Sequence, residues 1–157
     1  MSQDYIPLAT VTLGSSASSI TFSSIPATYR DLVLVGDYSA SANGDIQISF
    51  NGSTADRSRV LMYAVPVEAG STTGSNINFA GYYTGNRSAG IAQFMDYSAT
   101  DKHKTILLRT QTASGPTEVV ATAARWASTS AITSIGLNFA AGTLSTGTTF
   151  LLYGIVA

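Results

Sequence analysis

The chain has 157 residues, 45% of them hydrophobic and 11% charged, with a net charge of −1 and no cysteine. That length suits a single domain, 1–157, with a core large enough to need no staple. The missing cysteine excludes disulfides, thiolate metal sites and a cysteine nucleophile, and the near-zero charge argues against a nucleic-acid partner.

In chain order, residues 1–5 hold neither a basic n-region nor an apolar h-region, so no secretory signal is expected. Strands are predicted over 6–13 and 18–23, where Ser19-Ile20-Thr21-Phe22-Ser23 alternates with period two. The next, 31–38, contains the continuous run Leu32-Val33-Leu34-Val35, which suits a strand covered on both faces or lying near a subunit contact. Asn43-Gly44 reads as a hairpin turn before strand 45–50, which alternates through Ile46, Ile48 and Phe50. Strands at 58–65 and 76–83 flank a turn-like stretch from Gly70 to Gly74. Strands at 90–97 and 103–111 follow, the second with the run Ile106-Leu107-Leu108. The alanine-rich 117–126 is read as strand because Val119-Val120 and the neighbouring Thr residues favour it over helix. Strands at 132–139 and 148–156 complete eleven candidates. Many short strands between Gly/Asn turns indicate an all-β fold, a two-sheet antiparallel β-sandwich of jelly-roll kind. No stretch approaches 18 apolar residues, so no transmembrane helix is expected.

Catalytic patterns are sparse. A Ser-His-Asp triad would have to use the one histidine, His103, with Asp96 or Asp101 as orienting acid, and no Gly-x-Ser-x-Gly elbow occurs. Zinc lacks ligands, and the Asn43-Gly44-Asp45 fragment of a calcium loop has no closing Glu. The acids stand beside turns without a glycosidase pattern and read as caps. Neither an enzyme nor a cofactor or metal is therefore expected. Tyr82, Tyr83, Phe94, Tyr97 and Trp126 offer aromatic surface for a glycan or an interface, with core packing the plainer role. Arg57 and Arg59, two apart, share a side of an extended segment and can meet acids on a neighbouring subunit or face solvent.

Three passages carry a resemblance. They are the run from Ser18 to Val35, containing Thr21-Phe22-Ser23-Ser24-Ile25-Pro26 and Thr28-Tyr29-Arg30-Asp31-Leu32; the strand end Phe50-Asn51-Gly52; and Ala131 to Ile135 with the closing Phe150-Leu151-Leu152-Tyr153-Gly154-Ile155. In this order they resemble a recurrent family of small virion proteins from tailed bacteriophages. The chain departs from the family after Gly52, running Ser53-Thr54-Ala55-Asp56-Arg57-Ser58-Arg59, and 53–115 lies outside the resemblance. The matching residues read as structural: Pro26 ends a strand, Tyr29 covers the corner with its hydroxyl on backbone, and Asp31 caps the turn. The resemblance implies a capsid decoration (cement) protein. It would act as a homotrimer on the major capsid protein at the virion surface, assembled in the bacterial cytoplasm, with no membrane or nucleic-acid partner. The alternative is a tail-fibre or receptor-binding domain that recognises host glycan through Tyr82, Tyr83 or Trp126.

Overall fold

The computed structural model describes residues 5–65, 68–82, 84–112 and 119–156. These form twelve strands and no helix. The strands are β1 (Tyr5–Thr12), β2 (Ser19–Phe22), β3 (Asp31–Tyr38), β4 (Gly44–Phe50), β5 (Arg57–Val65) and β6 (Glu68–Gly74), then β7 (Asn78–Tyr82), β8 (Ser88–Met95), β9 (Lys104–Thr112), β10 (Val119–Trp126), β11 (Ile135–Asn138) and β12 (Thr149–Ile155). The architecture is the expected two-sheet antiparallel sandwich, with unequal layers. One sheet has eight strands in the order β1-β12-β3-β8-β9-β10-β5-β6; the other has four, β2-β11-β4-β7.

The core lies between the layers and follows the alternation of the strands. Leu32 and Leu34 of β3, Phe94 of β8, Ile106 and Leu108 of β9, and Phe150 and Leu152 of β12 point inward from the large sheet. Ile46, Ile48 and Phe50 of β4 and Ile135 and Leu137 of β11 meet them from the small one. Aromatic rings fill the middle. Tyr38 stacks on Phe150 at 5.6 Å and 10°, Phe79 tilts against both, and Phe50 sits between Phe94 and Trp126. The space for them comes from paired glycines, Gly36 on β3 opposite Gly90 on β8. A Cβ at Gly36 would stand 2.4 Å from the Phe150 ring, and one at Gly90 2.5 Å from Phe79.

Several local expectations are corrected. Gly70 to Gly74 is not a turn but most of β6, the edge strand paired with β5. Asn43-Gly44 is not a hairpin turn: it lies on the crossover from β3 in the large sheet to β4 in the small one, and Asn43 Oδ1 accepts from Thr84 N at 2.7 Å and Thr84 Oγ1 at 2.8 Å. The tight turn is at Asn51-Gly52, where φ is 51° and 76° and Phe50 bridges Ser53. Tyr29 lies flat over Gly154, while the hydroxyl that reaches backbone at this corner belongs to Tyr97, which donates to Pro26 O and accepts from Tyr29 N. Asp31 caps across the fold rather than locally. Its Oδ1 accepts from Asp96 N at 2.9 Å and its Oδ2 from Arg30 Nε at 3.1 Å.

Candidate functional site: the open face of the large sheet

A sheet of eight strands is wider than one of four, and the small sheet covers only one of its faces. The other face is open among the described residues. Register gives its composition. One row runs Tyr153, Val33, Gln93, Leu107, Ala123, Val60, Thr73; the next runs Leu151, Val35, Ile91, Arg109, Ala121, Met62, Ser71. Tyr5 joins from β1, its ring edge-on to Tyr153 at 6.4 Å. Of the seven large hydrophobics exposed among the described residues, six stand on this face: Tyr5, Val60, Met62, Met95, Leu107 and Val119. Single exposed apolar side chains need no explanation, but a contiguous group on one sheet face is the mark of an interaction surface.

The face is dished. Ala121 and Ala123 of β10 contribute little side-chain height, while Tyr5, Leu107 and Met62 rise around them to line a hollow of about 420 Å³. A second hollow of about 400 Å³ lies alongside, between Val35, Ala89 and Val119. Ile91 and Arg109 line both. Small sidewalls on a strand explain why an alanine-rich segment is built as sheet here: strand pairing, not helix propensity, decides it.

Charge on this face is sparse and unbalanced. Arg109 stands near the middle and Arg125 toward one end; among the described residues neither faces a carboxylate in an ion pair. At the other end Asp37 is already engaged by Arg87 in a two-pronged bridge of 2.9 and 2.8 Å, and that bond with its attraction raises the Arg87 pKa. The face can therefore hold an apolar surface and offers a cation to an incoming carboxylate.

Of the residues singled out in the sequence, those whose side chains are described stand elsewhere. Trp126 is 5% exposed and packed against Phe50 at 5.3 Å, so it belongs to the core and not to a glycan platform. Phe94 and Tyr97 are likewise buried. Tyr82 ends β7 and its side chain lies outside what is described, as does Tyr83 entirely. Arg57 and Arg59 do share a side of β5, but it is the inner one. Arg57 is buried, donates through Nη1 to Ile48 O, and has its pKa lowered by that burial. Arg59 lies across Gly74 of β6. His103 is exposed, and Asp96 takes Lys102 at 3.3 Å. Among the described residues no group of three or more His, Asp or Glu is placed to hold a metal, and no helix is long and apolar enough to cross a membrane.

The open face itself has a sequence signal, the continuous runs Leu32–Val35 and Ile106–Leu108. Such runs imply covering on both faces or a subunit contact. In a single copy Leu107 is 47% exposed, so the first alternative does not hold for β9. No family model matches the chain, and no curated protein matches it.

Proposed function

We propose that this protein is a structural component of a tailed-bacteriophage virion, a capsid decoration protein that seats its open sheet face on the coat and ties neighbouring subunits together. One observation carries the reading: a rigid, cysteine-free sandwich leaves an apolar, dished face uncovered, with a cation near its centre. The residues that resemble phage virion proteins support it independently. They build the framework: the β2–β3 corner, the turn that closes β4, and β12 between β1 and β3 in the large sheet. The face that would meet the coat draws most of its residues from the stretch outside that resemblance, as expected where partner specificity resides. Individually modest contacts suffice for such a role, because many copies on one shell add their affinities.

The test is binding to coat shells stripped of decoration. Met62→Asp with Leu107→Asp places two carboxylates on the face without entering the core. The expected result is loss of shell binding with unfolding unchanged. Undiminished binding by the double variant, or localisation of the protein to the tail alone in virion images, overturns the reading.

A further inference from the structure

The sandwich ends in four edge strands, and three carry a device that discourages pairing with another chain. β1 holds Pro7 and a bulge between Pro7 and Ala9; β2 is only four residues long; and β7 pairs with β4 through a register shift. Proline, bulges and shortness are the usual protections of exposed edges. β6 has none of them. It runs seven residues in unbroken register with β5, from Glu68 to Gly74, and among the described residues no strand pairs with its far side. From Ala69 to Gly74 it carries no charge.

Its inner row is also unusual. Gly70 lies beneath the Tyr63 ring and Gly74 beneath the Arg59 guanidinium, with Thr72 between them opposite Leu61. The glycines let β5 side chains reach across β6 toward the free edge. Arg59 arrives there with Nε and Nη1 out of solvent and without a hydrogen-bond partner, an arrangement that costs free energy until an acceptor is supplied.

We propose that β6 is a homotypic seam: two copies pair their β6 strands antiparallel, joining two eight-stranded sheets into one. Full overlap of the seven residues sets Ser71 opposite Ser71 of the partner subunit, with small and hydroxyl residues across the rest of the seam. The same register sets position 68 of the partner strand, a glutamate in the sequence, opposite Gly74, where Arg59 lies. The two-fold axis stands perpendicular to the sheet, and the open faces of both copies then form one surface through Met62 and Ser71. A seam one strand long is smaller than the roughly 1,200 Å² of a stable interface, so the dimer is concentration-dependent. This inference stands apart from the virion reading and needs no coat protein.

Ser71 is exposed, so charging it leaves folding intact. Like charges placed directly opposite each other oppose pairing. Sedimentation velocity, taken to millimolar concentration, is expected to show wild type passing from monomer to dimer. Ser71→Lys alone and Ser71→Glu alone dimerise up to about fivefold more weakly, and an equimolar mixture of the two recovers a dimer containing one of each. As the chain has no cysteine, Ser71→Cys gives an independent readout, a crosslinked dimer under mild oxidation that Ser53→Cys does not form. Wild type that stays monomeric throughout, a trimer, or a mixture no better than its components overturns the proposal.

Discussion

Asn51 is the residue whose removal tests the framework most sharply. Its backbone is left-handed, at φ 51°, and its side chain makes four hydrogen bonds to the segment leading into β11. Nδ2 donates to Ala131 O at 2.8 Å, and Oδ1 accepts from Thr133 N at 2.8 Å, Thr133 Oγ1 at 3.1 Å and Ser134 N at 3.1 Å. All four are solvent-accessible, so the groups left behind by truncation can rehydrate, and about 0.5 kcal/mol each is the appropriate end of the range. Forcing Ala into the left-handed region adds about 1 kcal/mol. Asn51→Ala is therefore expected to cost about 3 kcal/mol, a fall of about 6–12 °C in Tm for a chain of this size. Asn51→Gly relieves the backbone and is expected to cost about 2 kcal/mol, and Asn51→Asp keeps the acceptor and costs about 1 kcal/mol. Urea unfolding with unchanged slope measures all three. The reasoning is refuted if Asn51→Ala stays within about 0.5 kcal/mol of wild type, or if the glycine variant is as unstable as the alanine one.

Three further outcomes are expected. Lys104 is fully buried and its Nζ donates to Ala99 O at 2.6 Å and Lys102 O at 2.9 Å, so Lys104→Met strands those carbonyls and lowers stability by about 2–3 kcal/mol in urea unfolding. Burial raises the phenol pKa of both Tyr38 and Tyr97, so the folded state holds protons that the unfolded state gives up near pH 10; stability falls as pH rises beyond that point, and the absorbance of the Tyr38 phenolate appears only with unfolding. Lys104, lowered by burial, acts with the opposite sign as pH climbs toward the ordinary lysine value, so Lys104→Met steepens the alkaline decline. Replacing Met62, Leu107 and Val119 together by Thr, which suits strands, is expected to cost less than about 2 kcal/mol because all three are 47–60% exposed, while binding of an apolar dye drops; a loss beyond about 4 kcal/mol contradicts the description of the face as open.

The sheet class was legible because one-face burial writes period two into the sequence, and β2, β4 and β11 show it plainly. β6 was not, because Gly70 and Gly74 look like turn residues until the side chains of Tyr63 and Arg59 are seen lying over them. That is a tertiary demand with no local signature. Trp126 is a different case, since the signal was present. Val120, Thr122, Ala124 and Trp126 share one parity and all are buried, whereas Arg125 and Ala123 between them face out. Core packing, the plainer of the two roles read from the sequence, is the one that the alternation implies for it. The exchange of roles between Tyr29 and Tyr97 lies beyond sequence altogether, because 68 residues separate the two and only the fold brings them to one corner.

The two faces of the large sheet answer to different requirements. On the inner face, size is matched atom by atom: Gly36 and Gly90 make room for the buried rings of Phe150 and Phe79, and Gly70 and Gly154 for the partly buried rings of Tyr63 and Tyr29. On the open face Val60, Met62, Leu107 and Val119 stay about half exposed among the described residues, yet β9 keeps Leu107 between Ile106 and Leu108 as though it were covered. Folding alone does not ask for this, since Thr at such a position satisfies a strand equally well. An exposed apolar face also invites association in the crowded state of synthesis, a liability that a stable monomer has reason to lose. The central cation points the same way. Among the described residues no carboxylate forms an ion pair with Arg109. On the proposed reading, these features follow from a face that lies against the coat.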